Sequence, residues 1–168
     1  MNKVLQALNL KRADLCGKAV RQSDALELQK KFAPKLAPDW YLELITSYPL
    51  CGAGFELSEG EDLSGLGALL EWMSPAFTLE EALDTEPGRS VLRFGYLPFG
   101  TDLTGGGDPY FLDLSQERDD PPVVRIPHDY AVTQPYPLEN IELVAEHLST
   151  FLALSTIPKP LGPGPARA

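Results

Sequence analysis

Few side chains in this sequence could support catalysis or bind a metal. The two histidines are His128, which Asp129 follows, and His147. No serine or cysteine stands in a recognisable nucleophile elbow, and neither histidine has further ligands at metal-binding spacing. Cys16 and Cys51 lack a CxxC spacing, which predicts two free thiols rather than a disulfide framework or a metal site. The sequence therefore indicates neither a catalytic triad nor a metal centre.

A run of three glycines, residues 105–107, invites comparison with phosphate-binding loops. No Lys-Ser/Thr pair follows it, and the flanking carboxylates of Asp102 and Asp108 would repel an anion. The same two carboxylates could bind calcium, but the alternating oxygen ligands of a dedicated calcium loop are missing. We expect a hairpin loop in which glycines adopt positive φ and Asp108 binds backbone amides.

Paired carboxylates are the remaining candidates for acid–base chemistry. Glu80 and Glu81 are adjacent in sequence, as are Asp119 and Asp120, and adjacent side chains on a helix or strand point apart. The sequence by itself therefore supplies no acid–base pair and gives no reason to expect a cofactor.

Charge is strongly segregated along the chain, whose formal net charge is −10. Residues 1–35 sum to +5 and residues 36–158 sum to −17, and residues 36–88 contain no Lys or Arg. Such a field repels nucleic-acid backbones and attracts cationic proteins. The alternative is that these acids only keep the fold soluble.

We place a candidate partner-binding surface in this acidic segment. Trp72 has two interpretations, since tryptophan is common at interface hot spots but also in protein cores. The expected contact residues are Glu56, Glu59, Glu61, Asp62, Glu71 and Trp72.

Apolar spacing predicts the helices that must support this surface. A short helix is possible near Val4 and Leu8, and a second should begin at Asp24 and stop at Pro34. Further helices are expected on the stripe Tyr41, Leu44, Ile45 and Tyr48, after a capping box at residues 78–81, and on the stripe Ile141, Val144, Ala145, Leu148 and Leu152.

Alternating apolar residues predict a meander of strands. The expected strands lie near Phe55 and Leu57, at residues 69–73, at Leu92, Phe94 and Tyr96, at Tyr110, Leu112 and Leu114, and at Val124 and Ile126. Helices, then an antiparallel meander, then a helix indicate the α+β class.

The 168 residues fit one domain. We expect an N-terminal arm or short helix at 1–22, the α+β domain at 23–156, and a disordered Pro/Gly-rich tail at 157–168. No apolar run of about 18 residues and no secretory signal are visible, which predicts a cytoplasmic protein without a membrane span.

Two segments, FGYLPFGTD at 94–102 and GGDPYFLDL at 106–114, strongly resemble the SUKH superfamily. This group includes the SMI/KNR cell-wall-assembly regulators and many bacterial immunity proteins. The similarity continues at 36–44 (LAPDWYLEL), at 123–129 and into the final helix, in the same order.

The resemblance implies an α+β fold with a mostly antiparallel sheet and no enzymatic activity. For a bacterial chain it further implies an immunity protein that binds and neutralises a toxin domain, often a nuclease. Combined with the charge pattern, it predicts a basic toxin domain as the partner. The alternative is a regulatory scaffold of the SMI/KNR type that recruits endogenous proteins; the oligomeric state stays open.

Overall fold

The computed structural model describes residues 2–32 and 36–158. Within these ranges the α-helices are α1 (Asn2–Lys11), α2 (Gln22–Lys31), α3 (Asp39–Ser47), α4 (Pro75–Leu83), α5 (Gly88–Val91) and α6 (Leu148–Leu154). Short 3-10 helices cover Leu92–Phe94, His128–Tyr130 and Leu138–Asn140. None of the helices in the described ranges is long and apolar enough to cross a membrane.

Six strands form one antiparallel sheet in sequence order, which confirms the predicted α+β class and meander. They are β1 (Gly54–Leu57), β2 (Ala68–Trp72), β3 (Tyr96–Asp102), β4 (Tyr110–Asp113), β5 (Val123–Arg125) and β6 (Glu142–Ala145). Both sheet edges are partly covered: Glu56 of β1 pairs with Thr156, and the backbone N–H of Leu63 donates to Val144 of β6. Covered edges limit pairing with other chains.

The sheet separates two apolar clusters. The larger one packs α1, α2, α3 and α6 against inward-facing strand residues such as Phe55, Leu70 and Leu97. A smaller cluster on the opposite face includes Val91, Phe111 and Val124. Three residues of the predicted stripe, Tyr41, Leu44 and Ile45, are buried on α3, and Tyr48, which follows the helix, joins them in the larger core.

The predicted C-terminal helix begins later than its apolar spacing suggested. Residues Glu142–Ala145 form β6, and α6 starts only at Leu148. These residues form a strand because pairing with β5 satisfies the hydrogen-bonding groups of their backbone. Pairing shifts between Val123 and Val124, and this irregularity accompanies two consecutive buried residues, Val144 and Ala145, which mimic a helical stripe.

Three other local predictions were wrong in detail. The helix expected after residue 78 is α4, which Ser74 caps by accepting from the Phe77 N–H, while Thr78 is buried inside it. Leu92–Phe94 forms a 3-10 helix that ends at Gly95 with φ of 91°, so β3 begins only at Tyr96. Helix α2 starts at Gln22, and Asp24 binds the Arg21 side chain instead of capping.

The described part of the N-terminal arm packs on the domain. Val4 and Leu8 of α1 and the following Leu15 join the larger core, and α1 lies against α6. At the other terminus, Ile157 also packs against that core. The predicted stop at Pro34 and residues 159–168 of the predicted tail lie outside the described residues.

Candidate partner-binding surface

Glu56 and Glu71 lie on one exposed face of the sheet. Strand pairing places Glu71 opposite Gly54, and Glu56 opposite Leu69. Residues directly opposite share a face, so the two carboxylates are diagonal neighbours on adjacent strands. Both side chains are exposed, as a contact surface requires.

Glu59 and Glu61 lie on the β1–β2 loop (residues 58–67), at the end of the same hairpin. Both are exposed. Glu61 accepts hydrogen bonds from the Ser58 hydroxyl (2.7 Å) and the Ser58 N–H (3.4 Å), which fixes the beginning of the loop. The four glutamates named from the sequence are therefore all accessible to a partner.

Asp62 was expected at the interface, and the structure places it inside. Its side chain has 0% exposure, and its Oδ2 lies 3.8 Å from the Arg125 guanidinium. Its Oδ1 accepts from the Ser64 N–H at 2.8 Å. A buried carboxylate needs a charge partner, so Asp62 is a structural residue that cannot touch a partner in this conformation.

Arg125 joins the β1–β2 loop to the sheet. It donates to the Gly67 carbonyl (2.9 Å) and the Ser64 hydroxyl (2.8 Å), and it forms an ion pair with Glu142 at 2.7 Å. Its guanidinium also lies 5.8 Å from the centre of the Tyr110 ring. One buried cation thus holds the loop that carries Glu59 and Glu61.

Trp72 is a core residue and not an exposed anchor. It is 1% exposed, and its ring contacts Phe99, Phe55 and Tyr41 at centroid distances of 4.8, 5.9 and 6.4 Å. Side chains alternate along β2, so Trp72 points inward where its neighbour Glu71 points outward. The core interpretation of Trp72 holds.

A cleft that the sequence did not suggest adjoins the exposed sheet face that carries Glu56 and Glu71. It has a volume of about 240 Å³ and lies between α4 and the loop after β3. Thr101 in its wall pairs directly with Glu71, so this wall adjoins the sheet face of Glu71, whereas Asp102 pairs with Leu70 of the opposite face. Its lining includes the acids Glu80, Glu81 and Asp102 and the exposed ring of Phe77.

We call the combined region the acidic face; it comprises Glu56, Glu71, Glu80, Glu81 and Asp102. The sequence analysis did not place Glu80 and Glu81 at one site, because adjacent side chains on a helix point apart. Both nevertheless line the cleft. In the sequence, only the absence of Lys and Arg from residues 36–88 indicated that these two glutamates belong to an acidic surface.

Two carboxyl groups of the cleft have shifted pKa values, in opposite directions. Burial raises the pKa of Glu81, and the charges of Glu86 and Glu80 add to this, although the Gly88 N–H opposes it at 3.2 Å. Burial alone would also raise the pKa of Asp102, but hydrogen bonds from Gly107 and Thr104 hold it below its ordinary value. Asp102 therefore carries its charge at neutral pH.

Replacing Glu81 with glutamine is expected to raise the thermal midpoint at pH 7 by about 1–3 °C. A raised folded-state pKa favours the neutral acid, so this carboxyl costs stability as pH rises through its folded pKa. Glutamine removes the charge and still accepts from Gly88. Calorimetry at pH 7 and pH 4 tests this: the gain should shrink at pH 4. Glu43→Gln, which removes an exposed carboxylate on α3, is the control and should leave the midpoint unchanged. An equal gain at both pH values would contradict the stated cause.

The glycine-rich loop after β3 is a hairpin loop, as expected. Gly105 and Gly107 have φ of 92° and 82°. Asp102, more than Asp108, organises the loop by accepting from Thr104 and Gly107. Asp108 instead accepts from the backbone N–H of His128 at 3.0 Å and contacts its ring at 2.6 Å. Among the residues described, no group of three or more acidic, histidine or cysteine side chains could hold a metal ion.

A larger groove of about 580 Å³ lies elsewhere, between the start of α3 and the β4–β5 connection. Its lining includes Pro38, Trp40, Glu117 and Arg118, so it mixes both charges with an aromatic wall. It does not extend the acidic face.

Comparison with known proteins places this fold in a family. The model of the SMI1 / KNR4 family (SUKH-1) matches residues 20–154, which include every strand and the helices α2 to α6. Helix α1 precedes the match. No curated protein and no solved structure matches the chain. Because the match covers most of the sequence and the sheet with its flanking helices, the chain belongs to the SMI1 / KNR4 family (SUKH-1).

Proposed function

We propose that this chain is a non-enzymatic, cytoplasmic immunity protein that neutralises a cationic toxin domain, such as a nuclease. Membership of the SUKH-1 family supports a role in protein–protein interaction. The observation that carries the proposal is the acidic face, where Glu56, Glu71 and Thr101 lie side by side next to a cleft with three further acids. An interaction surface of this sign selects a basic partner.

The mechanism follows from charge mimicry. A nuclease groove presents Lys and Arg to the phosphates of its substrate, and carboxylates can form the same charge-assisted hydrogen bonds. The acidic face would occupy that groove and keep the substrate out. Long-range attraction would also accelerate association at low salt.

Capture of the tagged protein from its native cells tests the proposal. We expect one basic protein to be retained stoichiometrically and to lose its toxic activity when bound. The double variant Glu56→Lys/Glu71→Lys should lose that protein, whereas Glu43→Lys, an exposed acid on α3, should keep it. Equal retention by both variants would exclude the acidic face as the binding site.

A second candidate function is a regulatory scaffold of the SMI/KNR type. It is favoured by the family itself, whose description names these proteins. A scaffold would retain several endogenous proteins without inhibiting an enzyme. The same capture therefore separates the two functions.

A further inference from the structure

The β1–β2 loop exposes two large apolar side chains. Leu63 is 60% exposed and Leu66 is 63% exposed, although Leu57 and Ala68, which precede and follow the loop, are buried. The backbone N–H of Leu63 donates to Val144 at 3.1 Å, which places Leu63 beside β6, where Leu143 is also exposed. Grouped exposed leucines are typical of interaction surfaces, whereas single ones are common everywhere.

These leucines are held outward by the buried ion-pair network. Arg125 binds Ser64 and Gly67, which flank Leu66, and Asp62 binds the Ser64 N–H. The loop therefore cannot easily fold its leucines onto the core. A loop that is already ordered also loses little conformational entropy when a partner binds it.

The charges around the leucines define what can cover them. The exposed charged residues of the loop and of the adjoining segment 142–146 are Glu59, Glu61 and Glu146, and Arg125, the cation there, is buried and already paired. A neutral apolar partner would gain nothing from these carboxylates, and an acidic one would be repelled. The complementary occupant has apolar side chains flanked by Lys or Arg.

We infer that the β1–β2 loop and β6 form an anchor site for an apolar, Lys/Arg-flanked segment of a protein partner. The inference rests on the proposed function in that the partner is cationic, and it adds the apolar contact that fixes where the partner sits. The leucines bind, and Glu59, Glu61 and Glu146 select for positive charge. Arg125 is a positioning residue that keeps the loop in shape.

Two short probe peptides of equal positive charge test this site, one built from leucine and lysine and the other with serine replacing each leucine. Both are titrated into the 15N-labelled full chain at low salt and followed by NMR. We expect the leucine peptide to bind at least tenfold tighter and to shift the amide signals of residues 58–67 and 142–146. The double variant Leu63→Ser/Leu66→Ser should lose at least that tenfold difference.

The matched control is Leu10→Ser, which removes an 86% exposed leucine from α1 and should leave binding unchanged. Unchanged amide spectra outside the substituted loop will show that each variant remains folded. If both peptides bind only around Glu56 and Glu71, the anchor site is wrong while the acidic face stands. If neither peptide binds at low salt, the anchor site is overturned, and the capture experiment still decides the proposed function.

Discussion

Replacing Arg125 with methionine is expected to lower the free energy of unfolding by about 3–5 kcal/mol. The substitution leaves Asp62 as an uncompensated charge whose side chain has no exposed surface. It also removes the donors to Ser64 and Gly67, so the β1–β2 loop loses its attachment to β5, although the Leu63 N–H still donates to Val144 of β6. Urea unfolding followed by circular dichroism measures the change.

Two further variants separate charge burial from lost packing. Adding Asp62→Asn to Arg125→Met should recover about 1–3 kcal/mol, because asparagine can still accept from Ser64 without a buried charge. Arg89→Met is the surface control: its side chain is 62% exposed, and its 2.8 Å ion pair with Glu86 should contribute less than about 1 kcal/mol. If Arg125→Met costs no more than Arg89→Met, the network does not hold the loop.

Replacing Trp72 with alanine is expected to cost about 3–5 kcal/mol of unfolding free energy. The indole is enclosed by Tyr41, Phe55 and Phe99, and its removal leaves a cavity between the sheet and α3. The half-buried Trp40, which contacts Tyr41 edge-on at 5.9 Å, should cost clearly less. Unfolding of both variants is followed by far-ultraviolet circular dichroism.

The substitution of Trp72 by alanine also distinguishes a core residue from an interface anchor. A core residue changes stability, and any folded fraction keeps its capacity to bind the partner. A variant as stable as the wild type that no longer bound the partner would instead make Trp72 an interface anchor and contradict its placement in the core.

Much of the fold could be predicted from local patterns, because its strands and α3 bury side chains with regular spacing. The alternating side chains of Phe55 and Leu57 and the apolar stripe of α3 are buried in the core, as expected. Residues 142–145 were misassigned because their apolar spacing fits a helix as well as an irregular edge strand. Only pairing with β5, which is separated from β6 along the chain, decides between them.

Charge composition located the candidate site but could not determine the direction of each side chain. Glu71 and Trp72 are neighbours in the sequence and face opposite sides of β2. Asp62 looked like Glu59 and Glu61 because its partner, Arg125, lies on a distant strand. The cleft could not be predicted from the sequence either, because its two walls, α4 and the loop after β3, are distant along the chain and meet only in the fold.

The most direct test of the central claim is the association rate of the captured partner as a function of salt. We predict that Glu56→Lys/Glu71→Lys slows association at least tenfold at low ionic strength, and that its rate approaches that of the wild type as salt screens the charges. Glu43→Lys should follow the wild-type curve. A double variant with the wild-type rate and the wild-type salt dependence would contradict recognition through the acidic face.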